Sequence, residues 1–193
     1  MSRLSEWLAG GLMISDGAWG TQLQARGLSL GTTPDTWNLT HPEQVESVAR
    51  AYAEAGSQVV LTNTFRANAV AMHDCSAADL DAINRAGVAL SKRGAGKQTL
   101  VFASIGPTGK VLMSGEVNAD QVTAAFAAQA ESLAAAGAFF VAPSDRSAKA
   151  PTLCRPFRRA RLENWMPERK MKDLAQRKDC AEWLYDLKNW RLA

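Results

Sequence analysis

Four short apolar runs, separated by alanine-rich helical stretches, set the tightest limit on what this chain folds into. They are Leu12-Met13-Ile14-Ser15, Val59-Val60-Leu61-Thr62, Leu100-Val101-Phe102-Ala103 and Ala138-Phe139-Phe140-Val141. Each has the length of a buried strand and is bounded by turn residues. Their apolar residues are continuous rather than alternating, the pattern of a strand covered on both faces and hence of a parallel sheet. Between the runs, Pro42 to Ala55, Ala77 to Arg93 and Ala119 to Ala136 return apolar residues at three and four positions, as amphipathic helices do. Strand, helix and strand at roughly forty-residue spacing predict parallel βα units and an α/β body.

The helix ends are legible too. Thr40 or His41 precedes Pro42 at a first-turn position, and Asn118 or Asp120 is placed to cap the third helix. Ala55-Gly56 and Ala136-Gly137 supply C-terminal stops. At 193 residues, 47% hydrophobic and 21% charged, the chain suits one buried core plus an appendage. No apolar run approaches the roughly 18 residues of a membrane span, and the start, Met1 to Trp7, lacks the pattern of a signal peptide. The expectation is a cytoplasmic protein with no membrane partner.

Three widely spaced cysteines, Cys75, Cys154 and Cys180, form no Cys-x-x-Cys pair and read as free thiols. Charge divides the chain: residues 142–193 hold 13 of the 22 Lys and Arg and 7 of the 19 Asp and Glu, leaving 9 and 12 in residues 1–141. Past Val141 alanine becomes scarce, Pro143, Pro151, Pro156 and Pro167 crowd together, and no fifth strand is visible. Lys170 to Trp190 suits a helix, with Met171, Leu174, Ala181, Leu184 and Leu187 on one side. The expected division is therefore 1–141, a βα body, and 142–193, a basic tail containing tryptophan.

Three runs end in polar, glycine-rich turns: Ser15-Asp16-Gly17-Ala18-Trp19-Gly20-Thr21, Thr62-Asn63-Thr64-Phe65 and Ser104-Ile105-Gly106-Pro107-Thr108-Gly109. In α/β folds that edge of the sheet holds ligands. Asp16 is the leading candidate, because a strand-tip carboxylate accepts hydrogen bonds from an ammonium group while nearby N–H groups take a carboxylate. Asp16-Gly17 also reads simply as a turn, and Thr62, Asn63 and Thr64 as hydrogen-bonding groups that close a strand. Nucleotide motifs fail. The segment ending Gly109-Lys110 has Ser104 where a P-loop needs glycine and Val111 where it needs Ser or Thr, and Gly17-Ala18-Trp19-Gly20 lacks the dinucleotide spacing.

Asp16 to Leu23, then Asp35-Thr36-Trp37-Asn38-Leu39-Thr40-His41-Pro42, then Ala53-Glu54-Ala55-Gly56 leading to Leu61-Thr62-Asn63-Thr64-Phe65 and Asn68, together resemble the homocysteine S-methyltransferase family. Ser104 to Gly109 is similar to the family's third strand end. The resemblance implies a partial (β/α)8 TIM barrel of about four βα units, methyl transfer to the homocysteine thiol with formation of methionine, and a small-molecule methyl donor. It implies that Asp16 meets the substrate's amino group, that Gly17, Thr62, Asn63 and Thr64 line the pocket, and that Trp37 or Asn38 shapes its wall. In that family a zinc ion held by three cysteines activates the thiol.

The match also lapses. There is no Cys-Cys pair and no equivalent of the family's later half, so none of Cys75, Cys154 and Cys180 carries over as a zinc ligand, and no catalytic residue is assigned. The glutamate that should follow the fourth strand is replaced by Ala142-Pro143-Ser144. The expectation is a methyltransferase-like chain, truncated and impaired, with a non-catalytic binding or assembly module as the alternative. Residues 142–193 read as an out-of-frame or fused terminus. Nucleic acid, which Arg155 to Arg161 with Trp165, Trp183 and Trp190 would suit, is the weaker reading, and a structural cover for bare apolar surface is the third. A half-barrel exposes apolar side chains such as Val60, Phe102 and Phe140, so a homodimer or a complementing second half is an expected partner.

Overall fold

The computed structural model describes residues 13–110, 115–138 and 140–143. Leu12, Phe139, the expected tail helix and the two tail cysteines lie outside the described residues. The elements run α1 (Trp19–Gln24), a 3-10 turn (Pro34–Thr36), α2 (Trp37–Thr40), α3 (Pro42–Glu54), β1 (Val59–Leu61), α4 (Ala77–Ala95), β2 (Leu100–Ile105), α5 (Ala119–Ala135) and β3 (Phe140–Pro143). The strands form a parallel sheet in the order β1-β2-β3, with Val60 opposite Val101 and Phe102 opposite Phe140. Mixed α/β architecture with βαβαβ connectivity is thus observed.

The first expected strand survives as a single parallel bridge between Ser15 and Val59. Its hydrogen bonds are regular up to that point: the Gln58 amide donates to Ile14 O at 2.8 Å and the Asp16 amide to Val59 O at 2.9 Å. The next ladder donor, the Leu61 amide, goes to the Asp16 carboxylate at 2.7 Å instead of to a backbone carbonyl. A side chain has replaced the backbone acceptor, and the pairing ends there.

The long helices follow their sequence signals. α3 starts with Pro42 in its first turn and buries Val45, Val48 and Ala49. α4 opens on a reciprocal cap, Ser76 with Asp79, and α5 on another, Asn118 with Gln121. Of the two residues proposed to cap α5, Asn118 does so. Gly56 and Gly137 follow α3 and α5 with φ of 96° and 80°, which side chains with a Cβ rarely adopt. α3 packs on α4 and α4 on α5, so successive helices lie side by side along the sheet. The approach of α3 to α4 is close enough that a Cβ on Gly94 would stand 2.7 Å from the Ala49 Cβ.

Burial corrects one expectation. Val60 is fully buried against Ala49, Ala95 and Val101, with Trp19 and Tyr52 alongside. Strand residues alternate between faces, and Val60 falls on the helix side. Its neighbour Leu61 and the paired Phe102 are the half-buried ones. The side chain of Phe140 lies outside the described residues. A second cluster joins Leu23, Leu28, Trp37, Val45, Val48 and Leu90. Among the described residues no helix is long and apolar enough to cross a membrane.

Candidate functional site

The polar turns converge at the carboxyl edge of the strands. Asp16 is tied to Leu61, the last residue of β1, and the Thr62 hydroxyl accepts the Ser104 amide of β2 at 3.0 Å. Thr62 and Thr64 share a hydroxyl contact of 2.6 Å, and Thr64 Oγ1 donates to Ser104 O at 2.8 Å. Both threonines are buried, and their hydroxyls lace the ends of β1 and β2 together. Gly106 continues the seam, its amide donating to Phe65 O at 2.8 Å. A Cβ there would stand 2.5 Å from the Phe65 ring, so only glycine fits.

Asn38 and Asn63 form a buried reciprocal latch. Asn63 Nδ2 donates to Asn38 Oδ1 at 2.9 Å and to Pro34 O at 2.8 Å, while Asn38 Nδ2 donates to Asn63 O at 2.8 Å and Ile83 O at 3.0 Å. Trp37 sits in the helix-side core and stacks on the His41 ring, with centroids 4.3 Å apart. These residues hold the shape of the edge. Asp16 and Gly17 are the ones that present polar groups near solvent.

The Asp16 carboxylate is held by three donors. Oδ2 accepts the Leu61 amide and, at 2.6 Å, the Trp19 indole N–H, and Oδ1 accepts the Ser15 hydroxyl at 2.9 Å. Exposed Gly17 lies next to Tyr52, whose hydroxyl donates to Ala18 O at 3.2 Å and would be 3.1 Å from a Cβ on Gly17. Burial first, and then the charge of Asp16, raises the Tyr52 phenol above its ordinary pKa.

Three residues matter here that sequence reasoning gave no role. Trp19 stood in what read as a turn, yet it starts α1 and aims its N–H at Asp16. Asp35 is 1% exposed and accepts the Arg66 amide at 2.8 Å, pinning the loop after β1 to the 3-10 turn. Desolvation raises its carboxyl to about 6, against backbone hydrogen bonds and the Arg66 charge, which lower it. Gln129 of α5 donates to Thr64 O at 2.7 Å from below. A polar residue within an alanine-rich apolar stretch was the available signal for Gln129, and an acidic residue two places before a core tryptophan was that for Asp35.

Among the described residues no group of three or more His, Cys, Asp or Glu side chains is placed to hold a metal ion. Cys75 is a half-buried free thiol. A zinc ion therefore does not fit the described residues. A cavity of about 440 Å³, lined by Lys92, Lys97, Thr99, Leu100 and Gly137 among others, lies at the opposite, amino edge of the strands.

A parallel sheet in sequence order, with polar turns gathered at its carboxyl edge, defines the class: an α/β protein. Comparison supplies the family. The homocysteine S-methyltransferase family model matches residues 13–143, and the chain belongs to that family. It is 34% identical over 113 residues to methionine synthase of Mycobacterium tuberculosis, covering 52% of this chain and 10% of that protein. The methionine synthase of Mycobacterium leprae is 35% identical over 121 residues, with 56% and 10% covered. The match thus spans a tenth of the length of these curated relatives. The metallated form of the Escherichia coli homocysteine methyltransferase MmuM superposes with a TM-score of 0.61 at 25% identity, covering 74% of this chain and 57% of that one. Its oxidised form gives 0.56 at 25% identity, covering 67% and 51%.

Proposed function

We propose that residues 1–141 are the amino-acid-holding half of a homocysteine S-methyltransferase site, built as about four units of a (β/α)8 barrel. The observation that carries this reading is the Asp16 carboxylate, fixed at the carboxyl edge of the sheet beside exposed Gly17, within the residues that the family model matches. Asp16 accepts a hydrogen bond from the homocysteine ammonium, and Gly17, Thr62 and Thr64 frame the pocket. Trp37, Asn38 and Asn63 hold its wall from behind. The sequential strand order and side-by-side helices support a barrel arc over a doubly wound sheet, whose strand order reverses.

The reaction forms a bond between the homocysteine sulfur and a methyl carbon, breaks that carbon's bond to the donor, and releases the thiol proton. A resident zinc in the family makes the sulfur a thiolate. The described residues offer no such ligand set, and a free thiol with pKa near 8.5 is only a few per cent thiolate at neutral pH. The outcome expected of the chain alone is that it transfers no methyl group above background. Its partners are homocysteine, a methyl donor, and a second copy or a complementing half that closes the barrel. Its setting is the cytoplasm, with neither membrane nor nucleic acid as partner, and the basic tail expected over 142–193, whose first two residues complete β3, is foreign to the family in sequence.

The metal test also bears on the second reading, a non-catalytic binding or assembly module. The purified chain is assayed for zinc and for methionine formation from homocysteine with betaine and a panel of sulfonium donors. Absent zinc and no methionine are expected. Chelator-sensitive methionine formation with stoichiometric zinc would refute the impaired-enzyme reading.

A further inference from the structure

We propose that Trp19 is a positioning residue for Asp16. Its indole N–H and the Leu61 amide together fix Oδ2, which leaves Oδ1 to receive a substrate ammonium. This rests on the reading of Asp16 as the ammonium acceptor. Two donors, at 2.6 and 2.7 Å, reach Oδ2, one from the end of β1 and one from the first residue of α1. They come from different elements, so the carboxylate plane cannot turn without breaking one of them. Hydrogen bonds to an ionised carboxylate are short and strong, and these two act before any ligand arrives.

The Trp19 ring is itself anchored. It is half-buried and packs against both hydrophobic clusters, beside Tyr52. Among the described residues the donor on Oδ1 is the hydroxyl of exposed Ser15, a single-bond rotor that swings aside readily. The carboxylate therefore has a rigid inner oxygen and a replaceable outer partner. Tyr52 completes the frame by holding the Ala18 carbonyl and packing on Gly17. An amino acid's ammonium that displaces Ser15 meets an acceptor already oriented.

The experiment uses the full chain labelled with ¹⁵N, with the Trp19 indole signal assigned by its loss in Trp19→Phe. Without ligand, Asp16→Asn should speed solvent exchange of the Trp19 indole proton about tenfold, because a charge-assisted bond to the carboxylate is weakened. An unchanged exchange rate overturns the proposal. Titration with homocysteine should move the same indole signal in step with saturation, and Trp19→Phe, which keeps the aromatic packing, should bind about tenfold more weakly. Binding equal to wild type shows that Trp19 is only packing and overturns the proposal. A wild-type chain that binds no homocysteine, while the ligand-free exchange effect is present, sinks the ammonium reading of Asp16 and with it the substrate half of the proposal. The contact itself is then upheld. If Trp19→Phe fails to fold, Ser15→Ala, which removes only the displaceable donor, should bind homocysteine at least as tightly as wild type. Weaker binding would count against Oδ1 as the open position.

Discussion

Replacing Asp35 by asparagine should erase a pH dependence that the fold carries between about pH 4 and 6. The Asp35 carboxyl is buried at 1% exposure and raised from 3.8 to about 6, chiefly by desolvation. A raised carboxyl means that the folded state holds the proton more tightly than the unfolded chain. Its favourable contribution is complete below about 4, is lost as pH rises through about 6, and is flat beyond. A shift of roughly two units at about 1.4 kcal/mol each corresponds to a loss of about 3 kcal/mol across that window. Asp79 and Asp81 are lowered by hydrogen bonds from Ser76 and Ser132 respectively, so their stabilisation is lost only as pH falls below the ordinary carboxylate range, outside the window. The assay is urea unfolding at pH 4, 5, 6 and 7 for wild type and Asp35→Asn. The asparagine shifts the whole curve by whatever its amide does to the Arg66 and Ala67 contacts, but it cannot titrate. The difference between the two proteins should therefore change by up to about 3 kcal/mol between pH 4 and 7, with wild type losing ground as pH rises. A difference that is constant with pH would refute the assignment of that burial cost to Asp35.

Gly87→Ala should destabilise by about 1–3 kcal/mol in denaturant melts, because its Cβ would stand 2.6 Å from Thr64 Cγ2 and 2.7 Å from Asn38 Nδ2. A neutral result would show that the site floor yields easily. Asn63→Ala should cost about 1–3 kcal/mol by leaving buried Asn38 Oδ1 and Pro34 O without their donor, and a double-mutant cycle with Asn38→Ala should return a coupling of at least about 0.5 kcal/mol. Additive losses would mean that the latch is not a unit. Sedimentation at micromolar concentration with a dye for exposed apolar surface should show dimers or larger species, and a single dye-free monomer with a cooperative melt would contradict an open half-barrel.

The strand-and-helix rhythm was legible because buried parallel strands and amphipathic helices leave strong apolar patterns, and α3, α4 and α5 end within two residues of their expected limits. The first strand was read as longer than it is. Its apolar run says nothing of the moment when the Asp16 side chain takes over the ladder. Which residues face the ligand edge was also only half visible. Thr62, Asn63 and Thr64 stood out as polar groups at a strand end, and Asn38 through the family resemblance, but sequence leaves open whether such a hydroxyl or amide points outward or spends its bonds on the neighbouring backbone. In the fold the threonines lace strands and the asparagines clasp each other. Trp19 went unassigned because its run reads as a turn, which leaves the direction of the indole open, and Asp35 because its partner lies 31 residues away, which no local period encodes.

The most direct test of the substrate site is amide NMR mapping of homocysteine on the full chain. The expected result is saturable shifts at Gly17, Leu61, Thr62 and Thr64, abolished in Asp16→Ala. Shifts confined to Lys97, Thr99 and Gly137 at the opposite edge of the sheet, or shifts at the carboxyl edge that persist without Asp16, would contradict it.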